Sequence, residues 1–158
     1  MEIKQLPKKD FVKIRTLVGK FYIDQARKFD KLLKINKKAI DASYKIRKKL
    51  FNKTKGTLFV AIEDSKIVGY VFGTIEKPKP AAQFKVNKIG HFWDVFVEEK
   101  YRDKGIGSAL IKALLNWFKE KNVPYVRIGA YHSNKSIELY KRLGFKIRHI
   151  ALQMRMMK

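Results

Sequence analysis

The sequence predicts an α/β (α+β) fold: a mixed, mostly antiparallel sheet of six to seven strands flanked by about four helices. Three observations carry this reading. Runs rich in β-branched and aromatic residues recur at 57–62, 67–75, 91–97 and 125–130. Apolar residues at helical spacing mark 11–33, 37–51 and the stretch after Gly105. The stretch 91–130 reads strand, turn, helix, strand, which is the length of a crossover between parallel strands. At 158 residues the chain is long enough for one domain with a sizeable core and short for two, so 1–158 is read as a single domain.

Each element has a local reason. Met1–Leu6 alternates and stops at Pro7, which suits the first turn of a helix. From Phe11, apolar residues at Ile14, Leu17, Val18, Phe21, Tyr22, Ala26, Phe29, Leu32 and Leu33 form a helical stripe, with Gly19 as a point where the helix kinks or splits. Asn36 is placed to cap a second helix, Lys37 to about Phe51, that Asn52–Gly56 ends. Glu63-Asp64-Ser65-Lys66 reads as a hairpin turn between two strands. Gly69 and Gly73 share one face of the second, where a helix or backbone can approach closely. Residues 76–90, with Pro78, Pro80 and four lysines, read as a loop and as one candidate wall of a cleft. The helix after Gly105 carries Ala109, Leu110, Ala113, Leu114, Trp117 and Phe118 on one face, and Asn122-Val123-Pro124 stops it. A last helix runs from Ser133/Asn134 to Leu143 and is closed by Gly144. Residues 145–156 return as one or two strands.

Composition excludes several classes. No apolar run reaches about 18 residues, so no membrane span is expected. The first residues lack the apolar stretch of a secretory signal. With no cysteine there is no disulfide, thiolate metal site or cysteine nucleophile, and a cytoplasmic location is the default. The three histidines lack metal-site spacing, so no metal is expected. Net charge is +23: residues 1–56 hold 18 Lys/Arg against 5 Asp/Glu, and the remainder holds 19 against 9. Such a field favours anionic partners. Lysine far outnumbers arginine, which fits a solvated surface better than dedicated reading of nucleic acid.

The chain is organised around His91–Lys121. Arg102-Asp103-Lys104-Gly105-Ile106-Gly107 lies between a strand and an amphipathic helix. Orphan N–H groups and the positive end of a helix dipole converge there, which is how a helix start binds phosphate. Gly105 and Gly107 leave room for it, and Arg102 and Lys104 add charge.

Two motifs in this order, Asp94-Val95-Phe96-Val97-x3-Tyr101-Arg102-x-x-Gly105-Ile106-Gly107-Ser108-Ala109-Leu110 and Asn134-x-Ser136-x3-Tyr140-x3-Gly144-Phe145, resemble those of the GNAT superfamily of acetyl-CoA-dependent N-acetyltransferases. The order of the preceding elements also fits, so the likeness covers nearly the whole chain. Two positions depart from the family pattern: Asp103 stands where glycine is common, and Ser136 where alanine is usual. The resemblance implies a sheet with a central splayed parallel strand pair and acetyl-CoA as cosubstrate. It implies a cofactor-binding set of Val95, Phe96 and Val97 on the strand, Arg102, Asp103, Lys104, Gly105, Ile106, Gly107 and Ser108 around the diphosphate, and Asn134 and Tyr140 beyond. The Val95 N–H would polarise the thioester carbonyl, and Tyr140 would be the general acid for the leaving thiolate. Read without the resemblance, Asn134 is a helix cap, Tyr140 an aromatic of a buried stripe, and Val95 and Val97 ordinary core residues.

The general base stays open between Asp94, His91, Glu98, His132 and a water-only relay. Asp94 is placed slightly ahead because a carboxylate in an apolar strand calls for a reason. The acceptor amine would lie between the helices of 8–51, the 76–90 loop and the strand ends. A peptide or protein amine is the first expectation and a small amine the second. A nucleic-acid or acidic-protein binding module on the same fold, and a second copy of the chain as partner, complete the set. No membrane partner is expected.

Overall fold

The computed structural model describes residues 1–156 apart from Thr54. Five strands form one sheet in the order β1-β2-β3-β4-β5: β1 Glu2–Leu6, β2 Lys55–Glu63, β3 Lys66–Glu76, β4 Ile89–Val97 and β5 Val126–Ile128. The first three neighbour pairings are antiparallel; β4 and β5 run parallel, joined by helix α3, Ile106–Glu120. The other helices are α1 Arg15–Lys28, α2 Lys37–Lys53 and α4 Ser136–Arg142. A 3₁₀ segment, Lys8–Ile14, leads into α1. No helix among the described residues is long and apolar enough to cross a membrane.

Alternation along the strands builds two cores. One face of the sheet presents Leu58, Val60, Tyr70, Phe72 and Phe96 to Phe11, Ile14, Leu17, Val18, Tyr44 and Phe51 of the α1–α2 side. The other presents Ala61, Val71, Phe92 and Val97 to Ile106, Leu110, Ile111, Leu114 and Phe118 of α3. The glycine face admits α3: a Cβ on Gly73 would stand 2.8 Å from Leu114 Cδ2 and 2.9 Å from the His91 carbonyl. Gly19 does not split its helix. It lies buried inside α1, and a Cβ there would come within 3.2 Å of Ile40 on α2.

The expected turns form as read. Asp64 and Ser65 both have positive φ (48° and 62°) between the paired Glu63 and Lys66, the backbone of a two-residue hairpin whose twist matches the strands. Asn36 Oδ1 accepts the Ala39 N–H at 2.9 Å at the start of α2. The Asn52–Gly56 helix stop includes Thr54, outside the described residues. Gly144 (φ 95°) closes α4, with the Phe145 N–H bonded to the Tyr140 carbonyl.

One difference lies at the C-terminal end. Residues 145–156 form no strand, so the sheet has five strands where six to seven are expected. The segment alternates as a strand does, yet β5 is three residues long and nothing pairs with its outer edge among the described residues. Without a ladder to join, the pattern alone makes no strand.

Candidate active site

The site is built where β4 and β5 part. They pair at Gly90↔Val126, His91↔Arg127 and Phe92↔Ile128, and no further. β4 continues for five residues, still paired to β3 on its other side. The register shifts between Phe72↔Asp94 and Gly73↔Phe92, so Trp93 is an extra residue, a bulge that bends β4. Residues 93–97 therefore offer an unpaired backbone edge toward the gap. Of their side chains, Val95 and Val97 pack toward α3 and Phe96 packs on Phe21 and Tyr70.

The edge leads into the turn that opens α3. Asp103 (φ 61°) and Gly105 (φ 78°) both take left-handed backbone there, which explains why glycine suits position 103. Gly105 caps α3 without a side-chain bond, and the first turn of α3 holds no acidic residue. The N–H groups of Ile106, Gly107 and Ser108 are thus helix-start donors of the kind that take anions. A Cβ on Gly105 or on Gly129, just past β5, would meet nothing within 4 Å, and on Gly107 only Val97 at 3.9 Å. The turn is open where a diphosphate would rest.

Arg102 is less available than its place in the motif suggests. Its Nε donates to the Val97 carbonyl at 2.9 Å, its Nη2 lies 3.4 Å from Asp24 of α1, and its guanidinium covers Phe96. Its own N–H is bonded to the Glu99 carbonyl. Arg102 ties the turn to α1. Lys104, over the Tyr101 ring, is exposed.

Asp94 is 3 % exposed. Arg47 Nε donates to its Oδ2 at 2.5 Å, and the Tyr70 hydroxyl donates to the same oxygen at 3.0 Å. Burial first, and then the Asp94 charge, hold Tyr70 well above the usual phenol range, so it stays a donor. Arg47 is itself held by Ser43 and stacked on Phe21. Asp94 thus belongs to an internal ion pair between α2 and the sheet.

His91 is half-buried beside a hollow of about 360 Å³ lined by His91, Phe92, Trp93, Arg127, Ile128 and Gly129, with Arg148 and His149. Burial lowers its pKa; Glu76 pushes it up, and Arg127 pushes it down again. It is a neutral imidazole at neutral pH. Its ring stacks on Trp93 at 5.9 Å; Trp93 Nε1 donates to Thr74 Oγ1 (2.8 Å), and Thr74 Oγ1 donates to Glu76 (2.8 Å). The bulge is pinned by this chain of bonds. Arg127 also covers Phe84 of the 76–90 loop, but no residue of that loop lines the hollow itself. Opposite, Phe29 stacks on Tyr131 at 5.5 Å and Tyr131 donates to Asp30 at 3.1 Å, bridging the α1–α2 connection to the segment after β5.

Tyr140 is buried in the cluster that holds Phe92, Val95, Val97 and Ile128. Burial raises its pKa, opposed by a hydrogen bond from Ser136, so the phenol is a proton carrier at any ordinary pH. Asn134 Oδ1 accepts the Ser136 N–H at 2.9 Å, a local cap. His132 is exposed, and Glu98 is ion-paired to Lys20. Arg47, Thr74, Glu76, Trp93 and Arg127 escape a reading of the sequence, although Arg47 carries a signal: it falls on the apolar stripe Ile40–Tyr44–Phe51.

A parallel strand pair that parts beyond a bulge, feeding a glycine turn at a helix start, is the arrangement that the resemblance to the GNAT acetyltransferases implies. Residues 21–145 match the Acetyltransferase (GNAT) family, and the chain belongs to that family as an N-acetyltransferase. It is 35% identical over 127 residues to an N-alpha-acetyltransferase of Sulfurisphaera tokodaii, 74% of each chain. A predicted acetyltransferase from Clostridium acetobutylicum, solved with acetyl-CoA, shares the fold at TM-score 0.71 and 18% identity, over 98% of this chain and 95% of that one. A ribosomal-protein-alanine N-acetyltransferase from Brucella melitensis does so at TM-score 0.65 and 20% identity, over 98% and 99%.

Proposed function

We propose that the protein transfers acetyl from acetyl-CoA to the α-amine of a peptide or protein, by direct attack in a ternary complex. The observation that carries this is the parting of β4 and β5 beyond Phe92 and Ile128, beside the open turn at Gly105–Gly107. The backbone edge of residues 93–97 would pair with the pantetheine arm. The Val95 N–H would polarise the thioester carbonyl, and the α3 start with Lys104 would hold the diphosphate.

His91 is the preferred base, in place of Asp94, whose charge is already matched by Arg47. An α-ammonium of pKa about 8 loses its proton to a neutral imidazole far more readily than a lysine ammonium at about 10.4. The amine nitrogen then forms its bond to the carbonyl carbon, the carbon–sulfur bond breaks as Tyr140 protonates the departing sulfur, and the second proton shed by the nitrogen as the amide forms returns through solvent to the Tyr140 phenolate. The names of the Sulfurisphaera and Brucella proteins favour an α-amine acceptor. The global positive charge disfavours polyamines. With no cysteine to oxidise, a cytoplasmic site of action goes with this reading.

A panel of free-amine peptides, N-blocked lysine peptides and small amines, incubated with acetyl-CoA and read by mass, tests the acceptor. We expect acetylation at the free α-amine. Turnover confined to small amines or lysine side chains would overturn it.

A further inference from the structure

We propose that the outward face of α2 is a docking surface for duplex RNA, held through the phosphate backbone and not through the bases. No residue of that face lines the hollow beside His91, so the docking holds whichever amine is the acceptor.

Of the 17 residues of α2, seven are Lys or Arg and one is acidic. The helix is thus more basic than a chain that holds 37 Lys/Arg and 14 Asp/Glu in 158 residues. Helical geometry sorts that charge to one side. Tyr44 and Phe51 lie in the core, and Arg47 turns inward to Asp94. Lys37, Lys38, Lys45, Lys48 and Lys49 are all exposed. At about 100° per residue they fall within about 120° of the helix circumference, along about 18 Å of its length.

This stripe is unfavourable for the helix by itself. Lys37 and Lys38 stand in the first turn, at the positive end of the helix dipole, with no acidic residue there. Lys45 meets Lys48 and Lys49 at i,i+3 and i,i+4, where like charges repel. Asp41 is four residues from both Lys37 and Lys45, a spacing that suits a pair with either, yet it accepts a bond from Arg15 of α1 at 2.9 Å. Among the described residues none of the five lysines is ion-paired. A local conflict of this kind is expected where a surface serves a ligand. The ligand that relieves this one is a row of negative charges.

The chemistry of the face selects among polyanions. Lysine grips phosphate as a point charge without reading bases, and the exposed stripe holds lysine and no arginine. Tyr44 and Phe51 are buried, so α2 offers no ring on which the bases of a single strand could stack. Ile46 is the one large apolar residue of α2 exposed among the described residues. One such residue makes neither an apolar face to enter a lipid surface nor a buried anchor cluster for an acidic protein. The inner side of α2 is packed on the core, so the helix can lie across a duplex but not sink into the wide major groove of B-DNA. The major groove of A-form RNA is narrow, which brings its two phosphate rows within reach of a single line of lysines.

Binding of a labelled RNA duplex of about 16 base pairs, followed by fluorescence anisotropy across a salt series, tests the docking. We expect log K to fall against log salt with a slope of about −4, as five neutralised phosphates require. Lys45→Gln/Lys48→Gln/Lys49→Gln should lose about 2–3 of that slope and bind on the order of tenfold or more weakly. Lys112→Gln/Lys119→Gln/Lys121→Gln removes the same charge from exposed positions on the α3 side of the sheet and should bind as the parent does. Lys45→Arg/Lys48→Arg/Lys49→Arg should keep the slope. All three variants should keep the circular dichroism of the parent and its thermal shift with acetyl-CoA, so that lost RNA binding reports on the face and not on the fold. Equal losses in the two glutamine variants overturn the proposal, because the attraction then belongs to the net charge of the whole chain. A slope lost in the arginine variant overturns it as well, since phosphate contact needs only the charge. A DNA duplex of the same sequence, or polyglutamate of equal charge, that binds as tightly as the RNA overturns the assignment to RNA. No binding of the RNA duplex at low salt overturns the docking outright.

Discussion

Arg47 Nε lies 2.5 Å from Asp94 Oδ2, joining the middle of α2 to the strand whose unpaired edge faces the gap between β4 and β5. The two residues are 47 positions apart in sequence, and the Asp94 side chain is 2 % exposed. A buried pair of this kind is costly to break on one side, because the remaining charge is stranded. Arg47→Met alone should cost about 3–5 kcal/mol, and adding Asp94→Leu should recover most of it. Urea midpoints of the two variants check this; a loss below about 1 kcal/mol for Arg47→Met would remove the structural role.

The pH dependence of turnover follows from His91. The base must be neutral, and burial sets its pKa below the ordinary imidazole value of 6.5. The acid limb of kcat/KM should therefore fall below pH 6.5. Glu76 pushes the imidazole up and Arg127 pushes it down; Arg148 and His149, from the segment after α4, face the same hollow. Glu76→Gln should move the limb to lower pH and Arg127→Gln to higher pH. A limb that ignores both substitutions would exclude His91 as the base.

Tyr140→Phe removes one oxygen from a buried ring that otherwise packs on Phe145. Turnover should fall on the order of a hundredfold, while the thermal shift given by acetyl-CoA stays as in the parent. Equal turnover in the two proteins would leave the phenol a packing residue.

Asp103 holds φ 61° without being glycine. Asp103→Gly should stabilise the fold by about 1 kcal/mol, since left-handed backbone costs an L-residue about that much. It also takes a carboxylate away from the diphosphate turn, so acetyl-CoA should bind more tightly. Melting temperature and a binding titration read the two effects; a drop in both would mean that Asp103 makes a contact that matters more than its strain.

Much of this site is legible in the residues alone. The glycine turn before α3, the hairpin at Asp64-Ser65, the caps at Asn36 and Gly144 and the parallel crossover all depend on local chemistry, which sequence displays directly. What stays hidden is long-range. The bulge at Trp93 is one extra residue in an apolar run, invisible until a partner strand sets the register. Asp94 is a lone carboxylate in a strand, and only the fold supplies Arg47 opposite it. Arg102 reads as a cation of the turn, and only the fold brings Asp24 of α1 alongside it. Residues 145–156 alternate as a strand, but a pattern alone supplies no ladder to join.

The central claim is that acetyl-CoA lies along residues 93–97 with its diphosphate at the Gly105–Gly107 turn. Gly107 has ordinary backbone and open space above it, so Gly107→Trp should fold as the parent does while filling the diphosphate position. A thermal melt of both proteins with acetyl-CoA at about 100 times its Kd measures this directly. The parent should gain about 2.7 kcal/mol, a rise on the order of 5–10 °C, and Gly107→Trp should gain nothing. An equal rise in both, or none in the parent, would contradict the account.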